Sequence, residues 1–154
     1  MSPPSRLADF LERHATIGID TSPFIYYLEG DARYASTTVV LFTRIEAGQT
    51  KAVTSTITML ELLVRPMREG RSTLVNDINA LGSRYPNLEW APTSLAIAVR
   101  AAHLRAQYHV ATPDAIHLAT ALEAGATGFV TNDRQLSRVT ELDVLVLDDL
   151  LQRP

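Results

Sequence analysis

The sequence predicts one α/β domain with a parallel β-sheet and helices packed against it. Short apolar runs alternate along the chain with longer segments of helical period, which is typical of parallel strands joined by helical crossovers. The 154 residues suit one domain better than two and are enough to bury a core. No internal repeat, charge run or linker rich in Pro, Gly or Ser marks a second domain. We therefore expect one compact α/β sandwich.

The individual elements follow from the same alternation. The predicted strands are ATIGID (15–20), KAVTS (51–55), LEWAP (88–92), GFVT (128–131) and VLVL (144–147). The predicted helices lie at about 22–29, 32–48, 58–68, 72–84, 94–108, 113–124 and 133–138. A short helix is also expected near the start of the chain, and the acid pair at 148–149 is expected to open a terminal helix.

Proline, hydroxyl and glycine residues support the predicted helix ends. Ser22 and Thr112 each precede a proline, so each places a capping hydroxyl before a proline at the first helical position. Gly30, Gly70 and Gly125 stand where helices are expected to stop, because glycine adopts the left-handed conformation of a helix end. The helices are therefore bounded by local signals as well as by their apolar period.

The composition is that of a globular protein without thiol chemistry. Hydrophobic residues make up 46% and charged residues 20% of the chain, which excludes a disordered or low-complexity protein. The absence of cysteine excludes disulfides, thiolate metal sites and iron–sulfur clusters. Residues 1–14 do not resemble a signal peptide, and no apolar stretch approaches the roughly 18 residues of a membrane span. We expect a soluble, cytoplasmic protein that has no membrane partner.

Four acids stand at the ends of predicted elements, where α/β sheets bind ligands. In an open parallel sheet, ligands bind beyond the carboxyl ends of the strands. One acid ends the first strand and one follows the fourth strand. The other two lie in the first turns of the helix after the second strand and of the helix before the fourth. These acids are, in that order, Asp20, Asp133, Glu61 and Asp114.

Each of these acids also has a purely structural interpretation. Thr58 and Glu61 have capping-box spacing, in which a hydroxyl and a carboxylate cap each other's backbone amides. The charge of Asp114 would favour the positive end of its helix dipole. Asp20 and Asp133 suit turns or helix N-caps. Taken singly, each acid is interpreted as structural.

Taken together, four carboxylates in one crevice indicate a cation site. Two like charges about 4 Å apart repel each other by about 4 kcal/mol at an effective dielectric constant of 20, so the cluster needs compensation. Mg²⁺ prefers oxygen ligands, whereas the lack of a Cys or His cluster argues against zinc. The formal net charge of −3 disfavours nucleic-acid binding, but without the four acids the rest of the chain has a formal charge of +1. The pattern favours metal-assisted phosphodiester hydrolysis.

Four segments, each with one of the acids, resemble a known family. They are IDTSPFIYYLEG (19–30), TSTITMLELLVRPMREG (54–70), TPDAIHLATALEAGA (112–126) and FVTNDRQL (129–136). In this order they resemble the PIN-domain family and, within it, the VapC-like ribonuclease toxins of type II toxin-antitoxin pairs. The resemblance covers residues 15–150 as a single domain, and residues 1–14 form an N-terminal extension that we expect to be helical.

The resemblance implies a fold, a site and an activity. It implies a three-layer sandwich with a twisted five-stranded parallel sheet of order 3-2-1-4-5. It assigns the four acids to a catalytic quartet that binds one or two Mg²⁺ or Mn²⁺ ions, and it matches Ser22, Thr131 and Asn132 to positions that line or orient such a site. It implies an endoribonuclease that hydrolyses RNA with metal-activated water and leaves a 5′-phosphate and a 3′-hydroxyl. It also implies a cognate antitoxin, received by surfaces of the early helices.

Four arginines that follow acids of the quartet have two interpretations. They could contact RNA phosphates at the rim of the site. They could equally form solvated helical faces with ion pairs between neighbouring turns. These residues are Arg65 and Arg68, after Glu61, and Arg134 and Arg138, after Asp133.

Three further features have a structural interpretation beside a functional one. His117 lies about one helical turn after Asp114 and could join the site, but we favour a packed, hydrogen-bonded residue. Phe24, Tyr26 and Tyr27 are expected in the core rather than on an RNA-stacking surface, and a groove that receives the antitoxin is a third interpretation. An Ala-rich stripe with Leu95, Val99 and residues 102–106 permits close helix packing, either within the domain or across a homodimer.

A PIN-like domain that has lost catalysis is the main alternative function. Such a domain would serve as a binding module for RNA or protein, and it would be expected to lack members of the acidic quartet. All four acids are present, which favours the enzyme.

Overall fold

The protein folds around a five-stranded, all-parallel sheet with helices on both faces. The computed structural model describes residues 2–151, so Met1 of the predicted extension lies outside it. The order across the sheet is β3-β2-β1-β4-β5, which confirms the predicted fold. The strands are β1 (Thr16–Ile19), β2 (Lys51–Ser55), β3 (Leu88–Ala91), β4 (Gly128–Thr131) and β5 (Asp143–Val146).

The helices follow the predicted order with small shifts at their ends. The segment predicted at 133–138 is a 3-10 helix, Arg134–Arg138, rather than an α-helix. The acid pair 148–149 lies in the first turn of the last helix, as predicted. The α-helices of the described residues are α1 (Pro3–Arg13), α2 (Thr21–Glu29), α3 (Ala35–Glu46), α4 (Thr56–Arg68), α5 (Ser72–Arg84), α6 (Leu95–Tyr108), α7 (Thr112–Glu123) and α8 (Leu147–Leu151).

Helix α2 begins one residue before its predicted cap Ser22, and helix α7 begins at its predicted cap Thr112. Asp20 caps α2, because its carboxylate accepts a hydrogen bond from the backbone N–H of Thr21, so the predicted cap at Ser22 is wrong. Helix α7 begins at Thr112 itself, and Ala111 occupies the cap position without a side-chain hydrogen bond. In α2 the chain passes from the end of β1 straight into the helix, which makes the last residue before the helix its cap.

The capping box predicted in α4 is also wrong. Helix α4 begins at Thr56, and the hydroxyl of Ser55 at the end of β2 accepts from the backbone N–H of Ile57. Thr58 therefore lies inside the first turn, fully buried, and its hydroxyl is 2.8 Å from that of Thr54. This shift frees Glu61 from any capping role.

Two apolar cores lie on opposite faces of the sheet. Ile17 and Ile19 of β1 point into the first core, which is covered by helices α1 to α5. The second core contains Phe129 of β4 and the small apolar residues of α6 and α7. Phe24 is fully buried in the first core, with its ring centroid 5.2 Å from that of Phe42, which agrees with its predicted core role.

Helix α1 of the N-terminal extension packs onto the domain. Leu7, Phe10 and Leu11 are buried in the first core. The ring of His14, directly after α1, is hydrogen-bonded to Asp143 at 2.8 Å at the start of β5. The guanidinium of Arg6 donates to the backbone carbonyl of Asp149 in α8 at 2.8 Å. The first helix is thus joined to the C-terminal elements.

Helix α6 divides its apolar residues between core and surface. Ala101 and Leu104 are buried in the core shared with α7. Leu95 and Val99 are 83% and 52% exposed.

Within residues 2–151, no helix has the length and apolar character needed to cross a membrane.

Candidate metal centre

The four predicted acids converge at the carboxyl edge of the sheet. Asp20 lies at the end of β1 and Asp133 two residues after the end of β4. Glu61 and Asp114 lie near the starts of α4 and α7, which pack against the same edge. The charges of Asp20, Asp133 and Glu61 all act on the carboxyl of Asp114. The structure therefore brings the members of the quartet into one electrostatic neighbourhood.

The carboxylate of Asp20 is buried and held by two donors. Its Oδ1 accepts from the backbone N–H of Thr21 at 2.8 Å, and its Oδ2 accepts from the hydroxyl of Thr131 at 2.7 Å. Thr131 is fully buried, and its hydroxyl oxygen also accepts from the backbone N–H of Asp133 at 3.0 Å. One threonine at the end of β4 thus links two members of the quartet, as expected of a residue that orients the site.

Glu61 is fixed by two side chains from other elements. Its Oε1 is 2.5 Å from Nε2 of His117 and accepts from the hydroxyl of Thr21 at 3.0 Å. The hydrogen bond with His117 lowers the pKa of Glu61 despite its partial burial. Glu61 is thus held as a carboxylate facing the sheet edge.

His117 is buried and hydrogen-bonded, as predicted, but its partners are the acids themselves. Its side chain is 1% exposed, and its Nε2 is 4.0 Å from Oδ1 of Asp20. Burial lowers the pKa of His117, but the Glu61 hydrogen bond and the charges of Asp20, Glu61 and Asp114 outweigh burial and raise it. The other ring nitrogen, Nδ1, is buried without a partner among the described residues. His117 therefore belongs to the site rather than to the apolar core alone.

Asp114 is the acid least compensated by the protein. It lies in the first turn of α7 and is partly buried. Burial, followed by the charges of Asp20 and Asp133, raises the pKa of Asp114 to about 6. No Lys or Arg within residues 2–151 forms an ion pair with any acid of the quartet. The centre thus carries more negative charge than its surroundings balance.

Asp133 caps the 3-10 helix and lies between two anchored neighbours. Its Oδ1 accepts from the backbone N–H of Gln135 at 2.9 Å. The backbone N–H of Asn132 donates to the hydroxyl of Ser22 at 3.2 Å, which joins this loop to the start of α2. The predicted lining residues Ser22 and Asn132 are thus close to the acids.

The four candidate arginines are exposed at the surface, and their contacts differ. Arg65 donates to Glu69, one turn along α4, at 2.8 Å. Arg138 donates to the backbone carbonyl of Gln135 at 3.0 Å. Arg134 pairs with Asp149 of α8, whereas Arg68 has no ion pair among the described residues. Ion pairing between neighbouring helical turns thus describes Arg65, whereas Arg134 pairs with a residue of another helix.

Thr21 is the residue of this centre that the sequence analysis did not single out. Its hydroxyl contacts Glu61, and it lies 3.5 Å from Nε2 of His117. The available signal was its position directly after Asp20, where a side chain starting α2 must face the same edge. Assigning the helix start to Ser22 hid that signal.

Comparison with known proteins identifies the family. A sequence model of the PIN domain matches residues 17–142, which is most of the chain. The chain belongs to the PIN domain family. The match confirms the resemblance drawn from the four acidic segments, and it begins within β1, after α1. A search of curated protein sequences finds no match.

Solved structures share the fold of this PIN domain at low sequence identity. A chain in the crystal structure of VapBC2 from Rickettsia felis, bound to a DNA fragment of its promoter, is 16% identical with a TM-score of 0.65, and the match covers 85% of this chain and 98% of that chain. A chain in a toxin-antitoxin complex from Klebsiella pneumoniae is 20% identical with a TM-score of 0.64, and the match covers 86% of this chain and 97% of that chain. A chain in the crystal structure of DNA-bound VapBC from Salmonella typhimurium is 17% identical with a TM-score of 0.58, and the match covers 86% of this chain and 97% of that chain. The PIN domain therefore has the fold found in these toxin-antitoxin complexes.

The side chains of this PIN domain fit a hard divalent cation in donor type. The quartet offers only carboxylate oxygens, which Mg²⁺ and Mn²⁺ prefer over nitrogen or sulfur. Burial, and after it the charges of Asp20 and Asp133, raise the pKa of Asp114, and a bound cation would relieve both effects. Among residues 2–151, no three His, Asp or Glu side chains stand in a ready-made ligand arrangement. The donor chemistry fits, and the carboxylates would have to converge further around an ion.

Proposed function

We propose that this PIN domain is a metal-dependent endoribonuclease, and the toxin component of a cytoplasmic toxin-antitoxin pair. The observation that carries the proposal is the convergence of four carboxylates, unpaired with any Lys or Arg of residues 2–151, at the ligand-binding edge of an α/β sheet. The four acids hold more negative charge than His117 and their hydrogen-bond donors offset, and Asp114, whose pKa is raised, is the least compensated of them, which favours a bound cation. One or two Mg²⁺ or Mn²⁺ ions match these ligands.

The side chains divide the work of such a site. Thr131 and the N–H of Thr21 orient the carboxylate of Asp20, and His117 with the Thr21 hydroxyl orients Glu61. Second-sphere hydrogen bonds of this kind fix the ligand direction and tune affinity. A bound divalent cation would lower the pKa of a water and polarise an RNA phosphate for in-line hydrolysis. No side-chain nucleophile is required, and the expected products carry a 5′-phosphate and a 3′-hydroxyl.

A partly buried apolar groove and an exposed apolar patch fit the proposed protein partners. An apolar groove beside Glu61 is lined by Ile25 and Leu28 of α2, Leu62 of α4 and Leu74 of α5. We propose this groove, formed by the early helices, as the surface for the cognate antitoxin. The exposed Leu95 and Val99 of α6 are the proposed contacts of a homodimer.

We predict carboxylate-dependent binding of Mn²⁺, measured by calorimetry on the metal-free protein. Wild type should bind one or two ions, and Asp20→Asn should bind at least about tenfold more weakly, because the loss even of an outer-sphere partner typically costs 10- to 100-fold. Asparagine remains a good N-cap, so this variant should keep α2. An inactive binding module predicts no carboxylate-dependent binding, and that result would favour the alternative function.

We predict that Arg68→Gln lowers the salt dependence of RNA binding. A phosphate contact contributes about one unit to the slope of log K against log salt, so the slope should fall by about 1. Lys51→Gln is the matched control, because Lys51 is exposed at the start of β2, at the opposite edge of the sheet. Equal slopes of log K against log salt for both variants and wild type would show that Arg68 does not contact RNA phosphate and is only a solvated surface residue.

A further inference from the structure

The loop that carries Asp133 is held from both sides by the short C-terminal helix α8. On one side, the side-chain oxygen of Asn132 accepts from the backbone N–H of Asp148 at 2.8 Å. On the other side, the guanidinium of Arg134 pairs with the carboxylate of Asp149. Consecutive residues of α8 thus hold the residues before and after Asp133. No other element of the described residues contacts both of these side chains through its own polar groups.

Both N–H donors and the oxygen of the Asn132 side-chain amide are hydrogen-bonded in this arrangement. Its Nδ2 donates to the hydroxyl of Tyr26 at 2.9 Å and to that of Tyr34 at 3.1 Å. An amide supplies two N–H donors and one acceptor oxygen, and all of them are engaged here. A polar group with all its partners in place has one favoured orientation, so the loop direction is set by α2, α8 and the residue that opens α3.

Tyr34 connects the loop to α8 a second time. Its hydroxyl donates to Oδ1 of Asp148 at 2.5 Å while accepting from Asn132. The Tyr34 side chain is buried, and its ring stacks on that of Tyr26 with centroids 4.0 Å apart. Burial and the Asp148 hydrogen bond raise the pKa of Tyr34 to about 12, so the hydroxyl keeps its proton for this contact at neutral pH.

We propose that α8 and Tyr34 form a clamp that positions Asp133, with Tyr34 and Asp148 as positioning residues of the metal centre. The clamp consists of Tyr34, Asn132, Asp148 and the Arg134–Asp149 pair. It rests on the proposed function in that Asp133 is taken as a metal ligand. Because α8 also accepts a hydrogen bond from Arg6 of α1, the clamp joins both ends of the described chain to the site loop.

Hydrogen exchange of the loop amides in the metal-free protein tests the clamp directly. Tyr34→Phe keeps the stacked ring and removes only the hydroxyl, and Asp148→Ala removes the acceptor. Both variants should exchange faster at the amides of Asn132, Asp133 and Gln135 than wild type does, while the core strands stay protected. Asp148→Asn should stay close to wild type, because its amide oxygen still accepts from the Tyr34 hydroxyl.

Mn²⁺ affinity provides the second readout, with a matched tyrosine as control. Tyr34→Phe and Asp148→Ala should each weaken Mn²⁺ binding by up to about tenfold, because they act on Asp133 through Asn132, and the loss of a direct outer-sphere partner of a metal ligand typically costs 10- to 100-fold. They should also lower kcat for RNA without raising KM. Tyr85→Phe loses a comparable tyrosine hydrogen bond, 2.8 Å to the carbonyl of Phe42, far from the loop, and should change neither readout.

The outcomes separate the clamp from the proposed function. Loop exchange and Mn²⁺ affinity equal to wild type in both clamp variants would overturn the clamp, provided that Asp133→Asn weakens Mn²⁺ binding. If Asp133→Asn instead binds Mn²⁺ like wild type, the assignment of Asp133 as a ligand fails. The exchange data then still decide whether α8 and Tyr34 hold the loop. If Tyr34→Phe does not fold, the clamp is tested by comparing loop exchange and Mn²⁺ affinity between Asp148→Ala and Asp148→Asn, which should restore both.

Discussion

Asp114→Asn is expected to stop RNA cleavage and, at the same time, to stabilise the metal-free protein. The variant removes a proposed ligand, so kcat should fall by at least about a hundredfold, the upper end of the cost of losing an outer-sphere partner. It also removes a charge that burial and, after it, the carboxylates of Asp20 and Asp133 disfavour, the two causes that raise the pKa of Asp114. After discounting for solvent screening, the gain at pH 7 is about 1 kcal/mol, or about 3 °C in Tm.

The stabilisation of Asp114→Asn should depend on pH in a defined direction. The pKa of Asp114 is raised from 3.8 to about 6 in the folded state, so the fold binds this proton more tightly than the unfolded chain does. The contribution of the protonated Asp114 carboxyl to the free energy of unfolding is fully present below pH 3.8 and is lost as the pH rises through about 6. Asp114→Asn has no carboxyl to lose this proton. The difference in free energy of unfolding between the variant and wild type should therefore be small near pH 4 and reach its plateau above pH 7.

Urea unfolding of the two metal-free proteins across pH 4 to 8 measures this difference. Asp77→Asn is the matched control, because Asp77 is an exposed acid of α5 outside the site. Its stability should follow that of wild type at every pH. A pH-independent difference between Asp114→Asn and wild type would show that Asp114 does not carry the repelled charge.

Gly18→Ala is expected to destabilise the fold by about 2 to 3 kcal/mol, the cost of overpacking a well-packed core. Gly18 lies in the central strand β1, where a Cβ would stand 2.4 Å from Cβ of Ala121 and 2.7 Å from the ring of Phe129. The first contact is with α7, whose first turn carries Asp114. An added methyl must therefore push α7 away from the strand that ends at Asp20. Thermal unfolding should show Tm lowered by about 5 to 10 °C.

Gly82→Ala is the matched control for this substitution. A Cβ at Gly82 would also meet an atom at 2.4 Å, but that atom is the terminal methyl of Met59, which can rotate away. Gly82 lies within α5, where alanine is favoured over glycine by about 1 kcal/mol. Gly82→Ala should be neutral or slightly stabilising. Unchanged stability of Gly18→Ala would contradict the close approach of α7 to β1.

The order of elements and the acids could be predicted because both depend on local sequence patterns. The alternation of apolar runs with helical segments locates the strands, and the parallel connection places Asp20 and Asp133 at the same edge of the sheet. The sheet order came from the family resemblance rather than from periodicity. The family match and the strand order then agree with it.

The contacts that orient the acids could not be predicted, because they join residues far apart in sequence. His117 meets Glu61 across 56 positions, and the Tyr34 hydroxyl meets Asp148 across 114. Histidine spacing on α7 indicated only that His117 shares a face with Asp114. The capping box suggested by Thr58 and Glu61, the structural alternative for Glu61, does not form, because Ser55 caps the helix one turn earlier.

RNA cleavage by the purified, folded wild-type protein, with and without divalent cation, tests the proposed metal centre most directly. We predict cleavage with Mg²⁺ or Mn²⁺ that leaves 5′-phosphate ends, loss of cleavage with EDTA, recovery on adding metal back, and no cleavage by folded Asp20→Asn. Cleavage that persists in EDTA, or that folded Asp20→Asn performs at the wild-type rate, would contradict the metal centre proposed at the carboxyl edge of the sheet.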